Sequence, residues 1–148
     1  MDLVKIDPLR GTEDQKIRNQ YILLEKLLLE LEQKQLPEEV VQEINQEIAQ
    51  VNCSPLSVKT ISSARARTLR LLEKKLEMVP KHHYRNMWLA LGIASFGIPL
   101  GTVFSISLDN YAFIGVGLPI GLALGIAVGS SLDKKAQESG KQLEFENK

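Results

Sequence analysis

The chain has 148 residues, 18 basic and 18 acidic side chains, a single cysteine and no formal net charge, and its mean hydropathy is −0.07. That average conceals a division: residues 87–132 carry one charge, Asp109, and the other 35 charges lie outside them. A stretch so long and so apolar exceeds what the core of one small domain absorbs, which excludes a purely soluble enzyme, and a lone Cys53 excludes a disulfide scaffold.

Residues 1–11 form an N-terminal segment in which charges alternate with apolar residues. It has no long apolar run and is not read as a cleavable signal peptide, so the first apolar span is expected to act as an uncleaved anchor. Residues 12–79 read as three amphipathic helices. Thr12 and Gln15 have capping-box spacing at the start of the first helix. Within it Ile17, Tyr21, Leu24, Leu28 and Leu31 recur at heptad intervals, and Leu23, Leu27 and Leu29 widen the stripe. Pro37 suits the first turn of a second helix, where its missing N–H is harmless. Val41, Ile44, Ile48 and Val51 form that helix's apolar face, and Asn52 to Pro55 end it. Ser54–Pro55 is the expected start of the third helix, with Ile61, Leu69, Leu72, Leu76 and Val79 facing inward and Pro80 ending it.

Charge divides these helices. Residues 11–55 hold four basic and nine acidic side chains, whereas residues 56–86 hold eight basic and two acidic. The expected fold is therefore all-α, with a cytoplasmic three-helix bundle or short coiled coil whose acidic and basic helices neutralise one another. An alternative lays the basic third helix on anionic lipid, as a detector of membrane charge. Residues 80–86 form a basic juxtamembrane linker. Adjacent His82 and His83 point in different directions on a helix and read as cationic anchors beside Lys81 and Arg85, with pH sensing as the alternative.

Residues 87–132 are expected to form a transmembrane helical hairpin, with spans at 87–108 and 111–132. At 1.5 Å per residue each span reaches ~33 Å, enough for a bilayer core of ~30 Å. Tyr84 and Trp88 mark the inner boundary, and Tyr111 and Phe113 the outer one. The tail, 133–148, opens with Lys134 and Lys135. Basic residues flank both open ends and are absent from the turn, which places both termini in the cytoplasm. Arg65, Arg67, Arg70, Lys74, Lys75, Lys81, Arg85, Lys134 and Lys135 are the cations expected to meet anionic headgroups.

Each span carries a Gly-x-Pro-x-Gly motif, Gly97–Gly101 around Pro99 and Gly117–Gly121 around Pro119. Counted from the turn, the two motifs lie level, ~15 Å deep. Each proline removes a helical hydrogen bond and is a candidate kink. Gly117, Gly121, Gly125 and Gly129 recur every four residues, leaving a stripe without side chains on which another backbone can settle. The run from Ile114 to Gly129, followed by Lys134 and Lys135, resembles the small bacterial glycine-zipper two-span membrane proteins over about residues 90–135. The resemblance implies a role in membrane packing, in a bacterial inner membrane, and brings no catalytic residue.

No phosphate-binding glycine loop, metal spacing or catalytic constellation emerges, so neither cofactor nor enzymatic activity is expected. Asp109 and Asp133 are read as boundary carboxylates that reach water. Nucleic acid is not an expected partner, because the basic helix lacks interleaved aromatics. The leading expectation is a small integral membrane protein acting by helix association. It would pair with itself or with another membrane protein through its glycine faces, while the N-terminal helices engage a cytoplasmic helical partner. The alternative is an oligomeric pore or holin-like permeabiliser, or a small transporter subunit. The near absence of polar residues in the spans counts against a wet lumen.

Overall fold

A computed structural model describes residues 2–7 and 14–146, and every regular element among them is helical. The chain divides into two compact units, residues 1–80 with 143–148, and residues 81–142.

The first unit is built on α1 (Gln15–Glu32), α2 (Glu38–Cys53) and α3 (Val58–Leu76). Asp14 caps α1, its carboxylate accepting from the Lys16 amide at 2.8 Å. Gln15 is thus the first helical residue rather than the far end of a capping box, and Thr12 lies outside the described residues. Tyr21, Leu24, Leu28 and Leu31 are buried as their spacing requires, and Ile17 packs beside them. The flanking leucines divide: Leu27 is fully buried, while Leu29 stays half exposed. Pro37 precedes α2 as its N-cap, and Glu38 and Glu39 occupy the first turn, where the helix dipole favours negative charge.

α3 begins at Ser57 rather than at Ser54–Pro55, because the Ser57 hydroxyl accepts from the Thr60 amide at 3.1 Å. It also ends before Pro80 could end it. Glu77 turns left-handed at φ 54, and its amide and that of Met78 bond back to the carbonyls of Glu73 and Leu72. Val79 is buried, but beyond the helix.

α3 packs against both α1 and α2, and Leu24, Leu27, Leu31, Ile44, Ile48, Ile61 and Leu72 are sealed in one core. The intramolecular bundle is the arrangement found. Its charges pair as their signs require: Arg67 meets Glu47 at 3.3 Å, and Lys75 meets Glu39 and Glu43 at 2.6 Å each. Hydrogen bonding to both carboxylates raises the Lys75 ammonium above its ordinary value, and Lys75 in turn holds Glu39 below its own. Burial raises the Tyr21 phenol, with Glu25 and Asp7 adding to the effect.

Two extended segments, neither apparent in the periodicity, close this unit. Asn45 accepts from the Val4 amide at 2.7 Å and donates to the Asp2 carbonyl. Asn52, two turns along α2, accepts from the Asp7 amide at 3.0 Å and donates to the Lys5 carbonyl. Seven helical residues and three extended ones both span roughly 10 Å, so the two asparagine side chains follow the N-terminal segment in step. At the other end Leu143 and Phe145 enter the core. The Leu143 amide bonds to Val79, and both oxygens of the Glu30 carboxylate accept backbone amides, from Glu144 at 2.6 Å and Phe145 at 2.8 Å.

Arg65 departs from expectation. Rather than facing a membrane surface, it is 9% exposed within the bundle, and its Nη1 finds no hydrogen-bond partner. Burial lowers its affinity for the proton. An unpartnered buried cation costs more in lost hydration than its neighbours return. Arg65→Met keeps the side-chain length and removes that cost. We expect it to stabilise the bundle by about 1–3 kcal/mol, read as a higher urea midpoint for the full chain in nanodiscs. A lower midpoint would show that the guanidinium is satisfied in solution.

Candidate functional site

The second unit runs through α4 (His83–Gly92), a π-helical turn (Ile93–Gly97), α5 (Ile98–Ser107), a 3-10 turn (Tyr111–Phe113) and α6 (Ile114–Glu138). α4 to α5 form one continuous arm and α6 the other, folded back as a hairpin. The reversal falls at Asp109, left-handed at φ 47, and Asn110, whose side chain accepts from the Ala112 amide at 3.0 Å. Residues 83–107 and 111–138 are both long and apolar enough to cross a membrane. In each, only 22% of the most apolar window is buried, so neither is the enclosed core helix of a soluble fold.

The residues that are buried form one stripe per arm. On α6 they are Gly117, Gly121, Gly125, Gly129 and Asp133, at a strict interval of four. On the first arm they are Gly92, Gly97, Gly101 and Ser105. The arms meet backbone to backbone. A Cβ on Gly121 would come within 2.6 Å of the Gly92 carbonyl oxygen and the Gly97 amide nitrogen. One on Gly129 would lie 2.5 Å from the Arg85 Cα. Gly117 faces Gly97 and Gly101, Gly125 faces Trp88 and Leu89, and Gly101 faces Ile114. The two Gly-x-Pro-x-Gly motifs are therefore level, as the depth arithmetic requires. The glycine faces are turned inward, each arm against the other. Gly115 lies off the stripe and meets nothing.

Gly92 belongs to this seam, although it stands five residues before Gly97, a spacing that leaves a regular helical face. The π-helical turn explains it. Ile98 bonds back five residues to Ile93, absorbing the extra residue and returning Gly92 to the line of Gly97 and Gly101. Of the two candidate kinks, Pro99 follows this distorted turn, whereas α6 runs unbroken through Pro119. A Gly-x(4)-Gly spacing just before a proline was the available signal. The Thr102 hydroxyl meanwhile donates to the Ile98 carbonyl at 2.9 Å.

Asp133 is the second residue whose role the sequence conceals. It is 6% exposed instead of facing water, and its two oxygens accept the amides of Tyr84 and Arg85 at 3.0 Å each. The first turn of α4 has no cap from its own N-cap residue, His82. A carboxylate from the opposite arm supplies it, and its charge opposes the positive end of the α4 dipole. Counted along α6, Asp133 is the next member of the glycine stripe after Gly129, so one geometry aligns both the packing and the cap.

Around this cap lies a cavity of about 220 Å³ lined by Lys81, His82, Arg85, Ser130, Asp133, Lys134, Gln137 and Gln142. Of the cations expected at a membrane surface, Lys81, Arg85 and Lys134 meet here. Lys135 lies exposed on α6, and Arg70 and Lys74 lie exposed on α3. Arg67 and Lys75 are paired with α2, and Arg65 is buried. Among the described residues no three His, Cys, Asp or Glu side chains converge as a metal site would require, and Cys53 is exposed. No family model, curated protein or solved structure matches the chain.

Proposed function

We propose that the protein is a two-span integral membrane protein that works as an accessory subunit or scaffold, with residues 2–79 as a helical recruitment head. The observation that carries this reading is the distribution of surface on the hairpin. Inward faces are reduced to glycine, while Ile98, Val103, Ile106, Ile114, Val116 and Leu124 are among the many large apolar side chains pointing out. An apolar surface of that extent is tolerated in lipid and not in water. In lipid, close backbone packing replaces the hydrophobic effect as the force that pairs helices, and a glycine stripe is the residue pattern that permits it. The hairpin is thus complete in itself, and further association uses its outward faces or the head.

The docking of residues 143–146 on the N-terminal unit supports a topology with both ends on one side of the bilayer. The basic residues at the open end favour the cytoplasmic side. The likeness to bacterial glycine-zipper proteins favours a bacterial inner membrane. A pore would need several copies and a polar wall, which the apolar outward faces do not provide.

The test is reconstitution of the full chain in phosphatidylcholine liposomes carrying a trapped dye. We expect resistance to alkaline extraction and no release at a low protein-to-lipid ratio. Extraction into the aqueous phase would overturn membrane insertion, and dye release would replace the scaffold by the oligomeric pore.

A further inference from the structure

Resting on the two-span reading, we infer that the basic cavity at the open end of the hairpin binds the phosphate group of an anionic phospholipid. Lys81, Arg85 and Lys134 line it beside His82, with one carboxylate, Asp133. That carboxylate is already committed: it accepts two backbone amides of α4 at 3.0 Å each. The helix N-terminus is therefore satisfied from within, and the donors that face a ligand are the side chains of Arg85 and Lys134. Lys134 has only a distant contact with Glu138, at 3.9 Å. Gln142 is held at the rim by its bond to the Asp133 carbonyl at 3.4 Å, and Ser130 adds a neutral donor.

Position selects the kind of phosphate. The cavity lies immediately before Met87 and after Leu132, where the apolar stretch begins and ends, which is headgroup depth for a hairpin in a bilayer. Basic pockets between helices at that level suit lipid phosphates, through charge-assisted hydrogen bonds. The acyl chains would then run along the exposed flank of α4, past Met87 and Leu91. A free phosphate shares the headgroup chemistry but gains nothing from that flank. His82 is held left-handed at φ 60, which sets the cavity's wall where the chain enters α4.

The experiment uses the full chain in phosphatidylcholine nanodiscs containing a minor share of phosphatidylglycerol, with retained lipid read by native mass spectrometry. We expect one phosphatidylglycerol to stay with the protein. Arg85→Gln/Lys134→Gln should reduce that retention about tenfold, as the loss of two charge-assisted contacts implies. Arg85→Lys should preserve most of it. Lys26→Gln/Lys59→Gln, which removes the same charge from the head, should leave it unchanged. Equal retention in the Arg85/Lys134 variant, or equal loss in the head variant, would overturn the site in favour of diffuse attraction. Binding of inorganic phosphate in pure phosphatidylcholine discs, without preference for the anionic lipid, would overturn the lipid in favour of a free anion. A protein that fails to enter nanodiscs refutes the two-span reading instead, so the two failures are distinguishable.

Discussion

Gly121→Leu/Gly125→Leu is expected to separate the two arms of the hairpin. At Gly121 even a Cβ would lie 2.6 Å from two backbone atoms of the first arm, and at Gly125 one would lie 3.0 Å from the Leu89 Cα. These neighbours are main chain, so no side-chain rotation relieves the overlap. Overpacking of an ordinary core costs about 1–3 kcal/mol per site. Two adjacent sites against backbone exceed what the remaining contacts of one hairpin can oppose. The measurement is a pulsed-EPR distance between labels at Leu91 and Leu124, in a Cys53→Ser background because Cys53 is exposed. A narrow distribution in the parent should become longer and broad in the variant. Gly115→Leu is the control, since nothing lies within 4 Å of a Cβ there. If the variant kept its arm spacing while a parent oligomer dissociated into monomers, the stripe would belong to an intermolecular interface instead.

Removing the C-terminal apolar pair should unfold much of the head. Leu143 is fully buried and Phe145 is 6% exposed, both in the same cluster as Leu24, Ile44 and Leu72. Truncating a buried Leu or Phe to Ala costs about 2–5 kcal/mol each, against a total domain stability of about 5–15 kcal/mol. Loss of the strap also frees the Glu30 carboxylate from two amides and the Val79 carbonyl from a third. For Leu143→Ala/Phe145→Ala we expect at least a halving of the urea midpoint and faster hydrogen exchange along α1 and α3. Leu29→Ala, at a half-exposed position, should shift the midpoint by no more than about 0.5 kcal/mol equivalent. Unchanged protection in the double variant would mean that residues 143–146 do not stabilise the head in solution.

Much of this molecule is readable one residue after another. The apolar block, the reversal at Asp109–Asn110, the heptad of α1 and the level glycine motifs follow from composition and from the fixed rise and period of a helix. Each of these signals is local, since a helix aligns its own residues whatever it packs against. The same regularity concealed Gly92, because a five-residue step joins the seam only where a π-helical turn intervenes. The start of α3 at Ser57, and not at Ser54–Pro55, has a smaller reason of the same kind. Ser54 and Ser57 are both competent caps, and the bond that decides between them, from the Thr60 amide to a serine hydroxyl, forms at Ser57.

What only the tertiary structure decided are the contacts whose two partners lie far apart in the chain. Asp133 looks like any boundary carboxylate until α4 offers it two amides some fifty residues away. Glu30 looks like a solvated helix residue until the far end of the chain returns to it. Asn45 and Asn52 look like surface polars on α2 until the N-terminal segment lies against them. Arg65 looks like its basic neighbours, yet the position of its turn on α3 takes it inside. By itself the sequence determined which segments become helices, which faces they hide and where the chain must turn, because backbone hydrogen bonding and apolar periodicity act over a few residues. Which polar group is buried, and by whose amide it is satisfied, depends on where distant segments meet, and no local period encodes that.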